Sequence, residues 1–197
     1  MEPTITYILY QKGREHMPLP KSNNHTSEDY WNLPEGERAE LIDGHLYSMA
    51  PPSSTHQELI FQLSHLLWDY IRKHDGKCKV FLAPFAVNLD AEDKNYVEPD
   101  ISIICDPSKV DLRGCKGAPD FIAEVVSPSS RKLDYVTKTN LYLNAGVREY
   151  WIIDPFKKCT TVYNFEEDAA PKIISFSMPL TIEIYGDFNV TMNDLFQ

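Results

Sequence analysis

The chain has 197 residues, 43% of them hydrophobic, so it is long enough to bury a sizeable core, and its length suits one domain spanning residues 1–197. It contains no run of about 18 apolar residues, which argues against a membrane span, and no charged segment followed by an apolar one at its start, which argues against a secretory signal. We therefore expect a cytoplasmic protein without a membrane partner.

The charge balance counts against a non-specific nucleic-acid binder that acts alone. The chain carries 19 basic and 29 acidic residues, a net charge of -10, whereas surfaces that bind nucleic acid are usually basic because their cations neutralise phosphates. A nuclease is still compatible with this charge, since a bound metal ion offsets acidic groups locally.

The cysteines give no sign of a metal or disulfide framework. The chain has Cys78, Cys105, Cys115 and Cys159, widely spaced and without a C-x-x-C pair. This spacing fits free thiols in a reducing compartment better than a zinc site or disulfides.

The first part of the chain predicts short elements. Residues 5–10 form a β-like run, and the polar stretch after it has no strong period. Thr26 or Ser27 can cap a short helix that continues to Trp31.

Residues 39–49 predict a β-hairpin that turns at Asp43-Gly44, because this dipeptide readily supplies positive φ angles. Asp43 is therefore interpreted as a turn former. Glu40, in the first strand of this hairpin, is equally compatible with a functional and a structural role.

The next segment predicts the longest helix. Thr55-x-x-Glu58 is a capping-box pattern, and Gly76 is a stop signal. Apolar residues recur between them at helical spacing, which predicts one core-facing side: Leu59, Ile60, Leu63, Leu66, Leu67, Tyr70 and Ile71. His56 falls in the first turn, where it could reach a phosphate or a metal-bound water, although a solvated histidine at a helix start is the more common case.

Three strands follow, over residues 79–89, 97–105 and 121–126, with Pro84 predicting a bend or an edge in the first. The second strand carries Asp100 and the third carries Glu124, each among apolar neighbours. A carboxylate beside a core costs several kcal/mol unless it is paired or holds a metal. The two acids could therefore converge on a divalent cation if their strands pair, or each could be a strand-end acid satisfied by solvent or a basic partner.

The remaining chain predicts a helix over residues 130–145 stopped by Gly146, and an apolar strand over residues 150–153. From residue 160 onward, β-like runs broken by an acidic turn and prolines predict a tail that extends the sheet or packs on it.

Pro99-Asp100, followed by Glu124-Val125-Val126, resembles the core motif of the PD-(D/E)XK nuclease superfamily, the restriction-endonuclease-like fold. Ordered phrases narrow the resemblance to the Uma-two family: E-L-I-D-G (40–44), P-P-S-S-T-H-Q (51–57), A-P-F-A-V-N-L-D (83–90), G-A-P-D-F-I-A-E-V-V-S-P-S-S (117–130) and A-G-V-R-E-Y-W-I-I-D-P (145–155). The resemblance implies an α/β fold, a restriction-endonuclease-like mixed sheet flanked by helices, to which this chain adds a β-rich N-terminal hairpin and a C-terminal tail.

The same resemblance implies a site chemistry. Asp100 and Glu124 would hold Mg²⁺, with Mn²⁺ as an alternative, and the main-chain carbonyl of Val125 would be a further ligand. The resemblance also places an acidic residue near the site at Glu40, and His56 is the remaining catalytic candidate.

One position departs from the superfamily pattern, because Val126 stands where a lysine is expected. Lys138 could replace it from the following helix, where it lies four residues after Asp134 and hence on the same face. The alternative is an ordinary surface Asp-Lys pair. Arg131 and Lys132 also lie close in sequence to the proposed site.

The residues and the family resemblance lead to two hypotheses about the function. The first is a metal-dependent endonuclease that hydrolyses phosphodiester bonds of nucleic acid, with DNA as the favoured substrate. Since cutting both strands of a duplex generally takes two active sites, we also expect a homodimer. The second is a catalytically inactive nuclease-fold protein that acts as a binding or scaffold module.

Overall fold

The computed structural model describes residues 24–167 and 169–196, so the strand predicted over residues 5–10 lies outside the described residues. Three α-helices occur in the described part: α1 (Ser27–Trp31), α2 (Ser54–Lys73) and α3 (Thr139–Ala145). The strands of the described part are β1 (Ala39–Ile42), β2 (His45–Ser48), β3 (Lys79–Leu82), β4 (Val87–Asn88), β5 (Tyr96–Val97), β6 (Ile101–Ile104), β7 (Cys115–Lys116), β8 (Phe121–Val125), β9 (Glu149–Asp154), β10 (Cys159–Asn164), β11 (Lys172–Ser175), β12 (Pro179–Thr181) and β13 (Asn189–Thr191).

The main sheet has six strands in the order β11-β10-β9-β8-β6-β3. β8 and β9 run parallel, and the other neighbouring pairs are antiparallel. Alternate residues of β8 point to opposite faces: Phe121 and Ala123 pack in one core cluster with Leu63 of α2, whereas Ile122 packs in another with Tyr142 of α3. The predicted mixed sheet flanked by helices is therefore confirmed.

A second sheet has the order β2-β1-β5-β4-β7 and contains the predicted hairpin. Asp43 adopts a φ of 48° in the turn, as expected of a turn former. Two predicted strands are each split: residues 79–89 into β3 and β4, and residues 97–105 into β5 and β6. Pro84 and Pro99 lie at these two breaks, and at each of them the chain passes from one sheet to the other. Proline cannot donate a ladder hydrogen bond, so it interrupts a continuous strand.

The helix starts are partly as predicted. Thr26 caps α1 through a capping box with Asp29. The prediction of a capping box at Thr55 is wrong, because Ser53 is the N-cap of α2 and its hydroxyl accepts a hydrogen bond from the His56 N–H at 3.2 Å. The helix thus starts before Thr55.

The predicted helix over residues 130–145 is also not uniform. Residues Leu133–Lys138 form a π-helical turn, and α3 continues from Thr139 to a left-handed Gly146 with φ 89°. The end of the helix is confirmed, while the wide turn in its middle is a feature that a 3.6-residue period does not reveal.

The tail is β-rich, as predicted. β10 pairs antiparallel with β9 and β11 pairs antiparallel with β10, which extends the main sheet, and β12 and β13 form a separate hairpin. Leu180 and Val190 of this hairpin are buried in the cluster that includes α2.

The expectation of free thiols is wrong for two of the cysteines. Lys79 pairs with Ile104 in antiparallel register, which places Cys78 opposite Cys105, and these two form a disulfide. Cys115 and Cys159 are free thiols. Within the described residues no helix combines the length and the hydropathy that a membrane crossing requires.

Candidate active site

The pairing of β6 with β8 brings Asp100 and Glu124 together. Ile101 lies opposite Ala123, so Asp100 lies opposite Glu124 in the same register. The Asp100 N–H donates to Glu124 Oε2 at 3.3 Å, and the Val125 N–H donates to Asp100 Oδ2 at 2.8 Å. The two carboxylates are thus held side by side by main-chain groups of each other's strand.

His56 reaches this point from the first turn of α2. Its Nε2 lies 3.1 Å from Asp100 Oδ2, and its Nδ1 is buried without a hydrogen-bond partner in the described part of the chain. Burial lowers the pKa of His56, but the hydrogen bond to Asp100 and the charge of that carboxylate outweigh burial, so the pKa is raised above its ordinary value. The histidine is therefore not a solvated residue of the helix start.

Lys138 lies at the centre of the cluster, with 4% of its surface exposed. Its Nζ is 2.8 Å from Glu124 Oε1, 2.9 Å from Glu40 Oε1 and 3.8 Å from Asp134 Oδ1. Burial lowers the pKa of the ammonium, but Glu124, Glu40 and Asp134 outweigh this effect and raise the pKa well above its ordinary value. The interpretation as a surface Asp-Lys pair is wrong, because both partners are buried.

Glu40 holds the ammonium from the second sheet. It lies in β1 and is 2% exposed, and its Oε1 also accepts the Glu98 N–H at 2.9 Å. Since Glu98 immediately precedes Pro99-Asp100, this bond fixes the segment in which the chain passes from β5 to β6.

Two residues of the cluster were not among the predicted site residues. Asp134 Oδ2 is buried without a partner in the described residues, and burial raises the pKa of Asp134 to about 6, with Lys138 opposing. The Tyr142 hydroxyl donates to Glu124 Oε1 at 2.8 Å. The four-residue spacing of Asp134, Lys138 and Tyr142 was the signal that could have identified both.

The cluster contains more acidic than basic side chains. Four carboxylates, those of Glu40, Asp100, Glu124 and Asp134, surround one lysine and one histidine. Burial raises the pKa of Glu124 well above its ordinary value, although Lys138 opposes this. A divalent cation bound here would favour the ionised forms of these acids.

The donor set fits a magnesium ion. Within residues 24–167 and 169–196 there is no group of three or more His, Cys, Asp or Glu side chains placed around one point to hold a metal. Mg²⁺ is commonly bound by only one or two carboxylates, with water and substrate oxygens completing its shell. Asp100 and Glu124 are such a pair, and the described part of the chain gives Asp100 Oδ1 no hydrogen bond.

The fold is shared with a solved structure described as a "putative nuclease belonging to DUF820" from Anabaena variabilis. The TM-score is 0.72 at 18% identity, over 87% of this chain and 97% of that chain. The predicted restriction-endonuclease-like fold is confirmed at this level.

Two Synechocystis sp. proteins are similar in sequence. The protein slr1290, described as uncharacterized, is 25% identical over 170 residues, which cover 85% of this chain and 86% of the relative. The protein sll1609, also described as uncharacterized, is 29% identical over 134 residues, or 66% and 73% of the two chains. Residues 27–185 match the profile of the Uma2 family, described as "putative restriction endonuclease". The matched range includes Glu40, Asp100, Glu124 and Lys138. The chain therefore belongs to the Uma2 family.

Proposed function

We propose that this protein is a metal-dependent endonuclease that hydrolyses phosphodiester bonds of nucleic acid, with DNA as the favoured substrate. One observation carries the proposal: buried carboxylates in excess of their cationic partners surround Lys138 where β6 and β8 place Asp100 beside Glu124. Membership of a family described as putative restriction endonucleases supports a nuclease.

Asp100, Glu124 and the main-chain carbonyl of Val125 would hold Mg²⁺ or Mn²⁺. When bound, such an ion polarises a phosphate oxygen and lowers the pKa of water from about 15.7 toward neutrality. The chain itself fixes the orientation of Asp100 through the Val125 N–H and His56.

Lys138 supplies the positive charge that the superfamily lysine, here replaced by Val126, would otherwise provide. Its buried ammonium lies 2.8 Å from Glu124 Oε1 and would stabilise charge that develops on a phosphate held at that carboxylate. Glu40 is a positioning residue, because it contacts the ammonium and not the reacting atoms. The Nδ1 of His56 is buried and without a partner in the described residues, so it is a hydrogen-bonding group for a water molecule inside the cluster.

Calorimetric titration with Mg²⁺ and Mn²⁺ tests the proposal, combined with cleavage of labelled oligonucleotides. We expect binding and cleavage in the natural protein and loss of both in Asp100→Ala. Asp69→Ala is the matched control, since Asp69 is a surface carboxylate paired with Lys73. Binding that persists in Asp100→Ala would contradict the assignment of the ligands.

The alternative is an inactive nuclease-fold protein that acts as a binding or scaffold module. Val126 favours it, because this side chain is 2% exposed in the core and leaves the usual lysine position without a charge. Absence of metal binding and of cleavage in the natural protein would favour this alternative.

A further inference from the structure

A basic surface lies beyond the ends of the two parallel strands. β8 continues into Ser127 and then the helix start at Arg131 and Lys132, while β9 continues into a turn with Lys157 and Lys158. Parallel neighbours end at the same edge of a sheet, so the two segments lie together. We call these four cations, together with Phe156, the strand-end patch.

Asp154 fixes the geometry of the patch. It is fully buried and accepts hydrogen bonds from the Arg131 guanidinium, the Tyr135 hydroxyl and the main-chain N–H groups of Phe156 and Lys157. One carboxylate therefore joins both segments and is itself removed from the surface. The negative charge of Asp154 is paired with the Arg131 guanidinium, so it does not neutralise the positive charges of the lysines.

The lysines of the patch differ from several surface lysines of this acidic chain that are held in ion pairs. Lys73, Lys94 and Lys172 are each paired with a carboxylate. Lys132, Lys157 and Lys158 are exposed, and no carboxylate of the residues described here lies within ion-pair distance of them. The patch thus concentrates uncompensated positive charge on a protein of net charge -10.

Phe156 adds an aromatic surface to this charge. It is 63% exposed, and the Arg131 guanidinium lies 5.8 Å from the centre of its ring. Exposed aromatic rings beside basic groups bind unpaired bases by stacking. In a duplex the bases already stack on each other, so this ring would gain little there.

The patch is close to the proposed active site along the chain. Ser127 lies three residues after Glu124 along the chain, which in an extended strand corresponds to about 10 Å at about 3.3 Å per residue. Arg131 and Lys132 also precede Lys138 in the same helical segment. A strand whose phosphate lies at Asp100 and Glu124 can therefore continue onto the patch within a few nucleotides.

We propose that the strand-end patch binds single-stranded nucleic acid, with the lysines on the phosphates and Phe156 stacked on an unpaired base. The proposal rests on the proposed function for its substrate class. It assigns the recognition of an unpaired strand to residues outside the carboxylate cluster.

Fluorescence anisotropy with a labelled single-stranded oligonucleotide in EDTA tests the lysines, since binding is then measured without cleavage. We expect the triple variant Lys132→Ala/Lys157→Ala/Lys158→Ala to bind at least about tenfold more weakly at 0.1 M salt, because each phosphate contact contributes about 0.7 to the slope of log affinity against log salt. The slope should fall by about 2 in magnitude. Lys73→Ala/Lys94→Ala/Lys172→Ala changes the net charge equally and should retain affinity within about twofold.

Phe156→Ala tests the stacking and the choice of an unpaired strand. We expect it to weaken single-strand binding by about fivefold or more, as the loss of one stacked base implies, and to leave binding of the matching duplex unchanged. Equal losses in the patch and control triple variants would overturn the proposal, and so would an equal effect of Phe156→Ala on duplex and single strand.

Different results would contradict the proposed nuclease function and the proposed role of the strand-end patch. Patch-dependent binding without any cleavage in Mg²⁺ would support the patch and contradict the nuclease. Cleavage of single strands with an unchanged KM in the patch variant would support the nuclease and contradict the patch.

Discussion

Lys138 is the residue on which the site's charge balance depends. Replacing it by methionine keeps much of its volume but leaves Glu40 and Glu124 without their cation. Removal of one partner of a buried ion pair commonly costs about 3–5 kcal/mol. We expect Lys138→Met to unfold at lower urea concentration and to cleave at least about a hundredfold more slowly.

Two controls separate stability from catalysis in this experiment. Lys94→Ala, at an exposed position outside both the carboxylate cluster and the strand-end patch, should leave the urea midpoint nearly unchanged and cleavage within about twofold. The double variant Lys138→Met/Glu40→Gln removes one uncompensated charge and should recover part of the stability without recovering cleavage. Full cleavage by Lys138→Met would refute the assigned role.

Glu149 gives a pH dependence remote from the site. It is fully buried at the start of β9, and it accepts hydrogen bonds from the Trp151 indole and from the N–H groups of Glu183 and Ile184. Burial raises the pKa of Glu149 to about 7 from an ordinary 4.5, with these donors opposing. Folding therefore favours the protonated acid.

A raised carboxyl pKa makes the native state lose stability as pH rises from about 4.5 to about 7, by at most about 3 kcal/mol from this group. Glu149→Gln does not titrate, but its amide can accept fewer of the three hydrogen bonds. We expect the natural protein to exceed the variant in stability most at pH 4.5 and least above pH 7. Urea unfolding at both pH values measures this, and a constant difference would contradict it.

At the scale of elements, the start of α2 positions His56. The Ser53 hydroxyl accepts the His56 N–H, so Ser53→Ala should cost about 0.5–2 kcal/mol of stability. Thr55→Ala, at the position that the sequence pattern favours as the cap, should be nearly neutral because Thr55 is inside the helix. Denaturant midpoints of the two variants compare the two caps directly, and an equal loss would assign part of the capping to Thr55.

The elements also show how far the sequence could predict this fold. The apolar period of α2 and the turn at Asp43 depend on local chemistry, so both were predicted, except that Leu66 of the predicted core-facing side is 37% exposed. A bend or an edge was predicted at Pro84, but the change of sheet at Pro84 and at Pro99 was not, because a passage between two sheets depends on partners distant in sequence. The disulfide between Cys78 and Cys105 was missed for the same reason, since only strand register brings these residues together.

The residues of the candidate site also divide into those that local sequence chemistry predicted and those that it did not. Asp100 and Glu124 stood out because acids are unusual in apolar strands, and the structure places them side by side. The contact of Glu40 with Lys138 joins two sheets, and no local pattern specifies it. The unpaired oxygen of Asp134 depends on a π-helical turn, which periodicity does not predict.

At the scale of the whole molecule, the homodimer stays a prediction, and the structure suggests where to test it. β11 is an edge of the main sheet, with Ile173 73% exposed and Met178 56% exposed after it. Exposed apolar strand edges favour pairing with another chain. We expect a dimer by light scattering at micromolar concentration and a monomer for Ile173→Lys.

Leu112→Lys is the matched control for this experiment, because it places the same charge on an exposed apolar residue outside the strands. It should leave the dimer intact. A natural protein that is monomeric at these concentrations would contradict the prediction.

The position of β8 between β6 and β9 has a consequence for synthesis on the ribosome. Glu124 is translated before Glu149–Asp154, the strand that closes the other side of β8. The ribosome adds about 5–20 residues per second, so seconds pass between the synthesis of Glu124 and that of the strand that pairs with the other side of β8. A nascent chain arrested before β9 emerges should accordingly remain protease-sensitive around β8 and lack the cleavage activity that we propose for the folded chain.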